Sequence, residues 1–275
     1  MRKCIDLLEQ SPLITGVAGV IVGVGGMKIL GAGDGNLLKM FALRAVLFLA
    51  MCVFVYLISR EKPFENCHTS TGYVVRWELL TMIPYVIMLP LQFTMEEGSI
   101  VPDWPIKLIL SIILSVFIGL YEETVFRVII NDAILYKFRN SKYVFAWIAV
   151  ISSLVFGVVH TIGADYSSVS AYISAGLKTV QTGLVGFCLL ILYWKTRNIW
   201  GIALAHALYD GLSIVPKSIY EGATKGLGSA KEYVNLESGG NMGYFIFIVP
   251  LTIAAIILWK KVGKKIDFDE IRKTW

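Results

Sequence analysis

Charge is scarce in this chain. Asp, Glu, Lys and Arg make up 16% of its 275 residues, against about 25% in a soluble domain. The net charge of +5 is modest and follows the loops, which points to membrane topology and away from a nucleic-acid partner. Cys4, Cys52, Cys67 and Cys188 are scattered, with no CxxC pair and no zinc spacing, so no structural disulfide is expected. Cys52 and Cys188 lie inside apolar runs and read as small packing residues. No His-Glu-x-x-His occurs, which leaves a zincin unsupported. No Gly-x-Ser-x-Gly elbow accompanies the histidines, which leaves a serine mechanism with little behind it. No linker divides the chain, and no low-complexity segment or internal repeat is visible, so residues 1–275 read as a single transmembrane domain. Met1-Arg2-Lys3 is followed by Asp6 and Glu9 before any apolar run, which does not read as a cleaved signal peptide.

Apolar sequence is abundant: 56% of residues are hydrophobic and the mean hydropathy is +0.68. A span needs about 20 mainly apolar residues. Runs of that kind begin near Leu13, Met40, Tyr73, Ile106, Tyr143, Ala171, Ile199 and Tyr244. The expected fold is therefore an all-α polytopic membrane protein, a bundle of about eight transmembrane helices. The first run is rich in glycine, which lets helix backbones approach closely. The third contains Pro84 and Pro90 as expected kinks, with Arg76 and Glu78 near one end, and the sixth has Lys178 and Gln181 near its start. The run from Ile106 to Tyr136 exceeds a bilayer's needs and should tilt or project.

Eight spans sort the loops by charge. Arg2 and Lys3, Arg60 and Lys62, Lys137, Arg139 and Lys142, Lys195 and Arg197, and the basic residues from Lys260 to Lys273 fall on one side. Asp34, Glu96, Glu97, Asp103 and Asp165 fall on the other, with a mixed loop over 216–243. The Lys/Arg bias puts both termini in the cytoplasm, and the chain is read as an integral protein of a bacterial plasma membrane.

Against that background, Tyr121-Glu122-Glu123-Thr124-Val125-Phe126-Arg127 sets three charges inside an apolar run. On insertion scales each costs about 2.5–3.5 kcal/mol at the bilayer centre. Glu123 and Arg127 are four apart and can pair along their own helix. Glu122 points about 100° away and is expected to face elsewhere. Of the three histidines, His68 lies in a polar loop, whereas His160 closes Phe156-Gly157-Val158-Val159-His160 and His206 stands four before Asp210. Taken singly, each has an ordinary reading: an ion pair, an interhelical hydrogen bond, a carboxylate facing water. Taken together, lipid offers none of them a partner, so they should converge inside the bundle. Such a set can activate a water by general-base action of Glu122. Two imidazoles and a carboxylate can also hold a divalent metal such as zinc, with the bound water as nucleophile.

In order and spacing, these three motifs resemble those of the CAAX prenyl endopeptidase type II / bacterial Abi family of intramembrane proteases. The family pattern is Glu-Glu-x-x-x-Arg, then Phe-x-x-x-His, then a His-x-x-x-Asn/Asp motif, here covering about residues 106–215. The resemblance implies an eight-span peptidase acting on a membrane-associated peptide or a lipidated protein. By position it implies catalytic Glu122 and His160, with His206 and Asp210 stabilising an oxyanion or holding a metal. Glu123 and Arg127 would orient the site. Asp210 stands where eukaryotic members carry Asn. An ionised Asp cannot donate to an oxyanion, so it fits better as a metal ligand, a partner fixing His206, or a protonated acid. Two other functions remain open at this stage: a non-catalytic scaffold or bacteriocin self-immunity protein, and a proton-coupled transporter. A rival pattern, Gly31-Ala32-Gly33-Asp34 with Tyr209-Asp210, imitates the intramembrane aspartyl proteases in reversed order, and its first half reads as a turn.

Overall fold

A computed structural model describes residues 11–29, 36–59, 62–65, 67–95, 99–164, 166–220 and 242–275. Of the charge pattern above, Arg2, Lys3, Asp34, Arg60, Glu96, Glu97 and Asp165 lie outside the described residues, as do the Gly31–Asp34 turn and most of the 216–243 loop.

Nine α-helices follow one another among the described residues: α1 Pro12–Ile29, α2 Leu37–Ile58, α3 Thr71–Met95, α4 Trp104–Phe138, α5 Val144–Val159, α6 Val169–Thr196, α7 Ile199–Ser218, α8 Met242–Lys261 and α9 Phe268–Thr274. Each of the eight expected runs is an apolar helix. Six are long and apolar enough to cross a membrane, while α1 and α5 carry shorter apolar segments, Pro12–Met27 and Val144–Val159. The chain is an all-α polytopic membrane protein. Its outward side chains, including Ile21, Leu49, Ile87, Ile106, Val150 and Ile253, are exposed, as suits helices bathed in lipid. The centre is packed by Met51, Val125, Ile129, Ile148, Leu189, Ile202 and Leu251, all fully buried.

The loops meet in two groups at the ends of the bundle. At one end, His68 N donates to Thr196 O and Trp200 Nε1 to Phe64 O. There too Lys195 Nζ reaches Lys265 O, and Arg139 and Arg272 exchange bonds with each other's backbone. Among the described residues, the basic segments assigned to one side thus share an end. At the other, Val101 N donates to Ile219 O at 3.0 Å.

Helix boundaries follow from side-chain caps. Asn36, Ser168, Asn198 and Asp267 each accept a backbone N–H at the start of α2, α6, α7 and α9. Between α6 and α7 the chain reverses sharply. Arg197, the one described non-glycine residue with positive φ, sits at 48° and ends α6. Arg197 was expected as a loop charge. It is instead fully buried, holding Asp132 of α4 through two bonds of 2.9 and 2.8 Å and stacking 3.9 Å from the Trp275 ring centroid. Those contacts hold a left-handed backbone that a side chain seldom adopts, and they direct α7 back through the bundle.

Candidate active site

The site begins where α4 meets α7. Gly119 of α4 faces the backbone of Ala203, so closely that a Cβ on residue 119 would overlap the Ala203 carbonyl. One turn further along each helix stand Glu122 and Glu123 on α4 and His206 on α7. The missing side chain at 119 is what lets two carboxylates reach one imidazole.

Just past those carboxylates α4 changes pitch. Residues Thr124–Ile129 form a π-helical segment, a widening that recurs at functional sites. Two hydroxyls support it. Thr124 Oγ1 bonds back to Leu120 O at 2.7 Å, and Ser152 of α5 donates to Phe126 O at 2.7 Å. Within the widened turn Arg127 lies fully buried. Its Nε is 3.0 Å from Glu123 Oε2, and its guanidinium stands 4.2 Å from the Phe156 ring centroid. Phe156 also meets the His160 and His206 rings edge-on, at 4.8 and 5.7 Å, and so wedges α4, α5 and α7 apart at a fixed spacing.

The structure brings all six expected residues together. His160 caps the end of α5, and its Nδ1 donates to Phe156 O at 2.7 Å. His206 Nδ1 bonds Glu123 Oε1 at 2.6 Å. Its Nε2 lies 3.8 Å from Glu122 Oε2 and 3.4 Å from Asp210 Oδ2, while His160 Nε2 is 3.7 Å from the same Glu122 oxygen. Glu123 pairs with Arg127 along α4 while Glu122 turns to His160, and the two carboxylates address opposite nitrogens of the His206 ring. The group divides by exposure. Glu123, Arg127 and His206 are sealed, at 0–3%, whereas Glu122, Asp210 and His160 keep 14%, 21% and 24% of their side chains open. The sealed three contact one another or Phe156, and the open three keep part of their side chains accessible. Most gaps around Glu122 exceed a direct hydrogen bond and suit one shared water. Glu122 Oε2 is buried and has no hydrogen-bond partner of its own.

The comparisons bear on the same stretch. Residues 104–212 match the family model described as Type II CAAX prenyl endopeptidase Rce1-like. The resemblance read from the three motifs is borne out by that match. A 199-residue alignment at 27% identity relates the chain to the protein named "Putative membrane peptidase YdiL" of Bacillus subtilis (strain 168), covering 66% of this chain and 74% of that one. No solved structure matches the chain. At family level these relationships support a membrane protease.

Residues 104–212 carry the donor types a divalent metal would take, in Glu122, His160, His206 and Asp210. Among the described residues, no three His, Cys, Asp or Glu side chains are gathered as a metal set. His206 Nδ1 and His160 Nδ1 are both engaged by protein oxygens, which leaves each ring its Nε2. No step below is derived through a metal.

Sequence reasoning missed one carboxylate near the site. Glu78 of α3, outside the family match, is fully buried, accepts from Thr81 Oγ1 at 2.5 Å, and lies within electrostatic reach of Glu123, His206 and Arg127. Its signal was an acidic residue in an apolar run, read only as lying near a span end. Arg44 of α2, also buried, approaches Glu122 in the same electrostatic sense.

Proposed function

We propose that this protein is an intramembrane endopeptidase. Its substrate is a peptide bond in a membrane-associated peptide or lipidated protein, hydrolysed by a water that Glu122 activates. The observation that carries this reading is the Glu122 carboxylate: partly open, lacking a hydrogen-bond partner at Oε2, and 3.7 and 3.8 Å from two imidazole nitrogens on other helices.

Glu122 takes a proton from the water as the water oxygen bonds to the carbonyl carbon. The C=O electron pair moves onto oxygen. When the tetrahedral intermediate collapses, the C–N bond breaks and Glu122 returns its proton to the leaving nitrogen, giving one new carboxyl end and one new amine. His160 Nδ1 donates to a carbonyl, so the Nε2 of the neutral ring is an acceptor and can hold the second water hydrogen. Glu123 fixes the His206 ring through Nδ1, and Arg127 neutralises Glu123. A positioned general base contributes about 10²- to 10⁴-fold in rate. The chain's place in a bacterial plasma membrane, termini inward, is part of the same proposal; the shared end of the basic segments supports it.

The test is mass spectrometry of a peptide library incubated with the protein in liposomes, wild type beside Glu122→Gln and Glu122→Ala. New termini should appear with wild type and fall by at least about 100-fold in both variants. Equal cleavage by wild type and Glu122→Ala would remove Glu122 from the chemistry. A biological phenotype kept by Glu122→Gln would favour the scaffold reading.

A further inference from the structure

The groups nearest the Glu122 water are acceptors, and two cations flank them: Arg44 of α2 on the Glu122 side and Lys178 of α6 on the side of His160 and Asp210. Glu122, Glu123 and Asp210 are carboxylates. The neutral His160 ring offers only a lone pair at Nε2, because Nδ1 holds the proton given to Phe156 O. A proton on His206 Nε2 would face the Glu122 and Asp210 carboxylates, 3.8 and 3.4 Å away. Yet the oxygen that becomes negative during hydrolysis needs a donor fixed in advance. Asp210, in the position where an amide would serve, cannot supply one while ionised.

We infer that Lys178 of α6 supplies it, as a catalytic residue whose ammonium donates to the oxyanion forming on the scissile carbonyl. This rests on the peptidase reading. Lys178 stands four residues after Ser174, three before Gln181 and seven before Val185, all buried. On a helix that spacing is one face, so the lysine is turned toward the bundle. Gln181, on that face, donates to Tyr85 Oη at 2.6 Å, and the Tyr85 ring lies 4.4 Å from that of Tyr209, the neighbour of Asp210. From the other side, Gly157 of α5 admits the Thr179 backbone where a Cβ would stand, which draws this part of α6 against the His160 end of α5. Lys178 is half-buried and within electrostatic reach of both His160 and Asp210. A cation inside a span is costly enough to imply a use. In this proposal the ammonium turns to the carbonyl oxygen as that oxygen becomes an anion.

The experiment is kinetic, on full-length protein in liposomes. Lys178→Met should lower kcat about 10²- to 10³-fold with KM little changed, the usual effect of losing an oxyanion donor. Lys178→Arg, which keeps a donor, should stay within about tenfold of wild type. Adding Asp210→Asn to Lys178→Met should restore at least about tenfold, because the amide donates, whereas adding Asp210→Ala should restore nothing. Rescue by Ala equal to rescue by Asn would make Lys178 a mere counter-ion and overturn the inference, as would an unchanged kcat in Lys178→Met. A second measurement needs no turnover. An acylated peptide phosphonate, an anionic tetrahedral mimic, should bind wild type more tightly than the matching amide, and Lys178→Met should lose that preference. A preference kept in full refutes the donor role even if no peptide in the library is cut. Absent cleavage by wild type counts separately, against the peptidase reading itself.

Discussion

Replacing Gly119 with alanine tests whether helix spacing, more than the identity of the acids, makes this site. The new methyl would overlap the Ala203 carbonyl, a backbone group that cannot swing away. The helices must then separate, by something on the order of 1 Å, or the chain must strain. Overpacking of this kind costs about 1–3 kcal/mol. The catalytic loss should exceed the stability loss. Glu123 Oε1 lies 2.6 Å from His206 Nδ1, and that bond would stretch while Glu122 left the shared water. A displacement near 1 Å at reacting groups costs about 100-fold in rate, or about 2.7 kcal/mol of barrier. The assay is peptide cleavage in liposomes alongside thermal unfolding in detergent. Gly25→Ala and Gly176→Ala serve as controls, since a Cβ at either meets nothing within 4 Å. Full cleavage by Gly119→Ala at an unchanged melting temperature would refute the reasoning.

The bundle was legible because the bilayer demands one simple signal, a long apolar run, and each run became an apolar helix. The three motifs were legible because charge inside such a run is conspicuous: Glu122, Glu123, Arg127, His160, His206 and Asp210 meet around Phe156. What stayed hidden depends on distance between helices. The π-helical turn at Thr124–Ile129 rests partly on a hydroxyl from another helix, Ser152, that no local pattern announces. Glu78 looked like a span-end residue because sequence gives depth along one helix, and only packing shows which face it turns inward. Arg197 was counted among the loop charges for the same reason. Its partner Asp132 is 65 residues away, and a positive φ at a non-glycine residue leaves no mark in the sequence.

Two further predictions concern the metal and the far end of the bundle. Cleavage should persist after incubation with EDTA, because the proposed mechanism activates the water at Glu122 without a metal; activity lost to EDTA and restored by zinc would reverse that reading. The last prediction separates scaffold from chemistry. Asp132 and Arg197 are sealed from solvent, joined by bonds of 2.9 and 2.8 Å, with Ser59 and Asn131 completing the carboxylate's shell and Trp275 covering the guanidinium. Removing one partner strands a buried charge, which costs about 3–5 kcal/mol, so Asp132→Leu and Arg197→Met should each sharply lower the melting temperature in detergent. The double variant should recover part of that loss, since no charge is left unpaired and coupled neighbours depart from additivity by about 0.5–3 kcal/mol. Because the pair orders the α6–α7 turn and touches none of the residues around Glu122, kcat of the fraction that stays folded should match wild type. A double variant no more stable than the sum of the singles would show that the two charges do not hold the turn together, and a fallen kcat in folded protein would move the pair into the catalytic assembly.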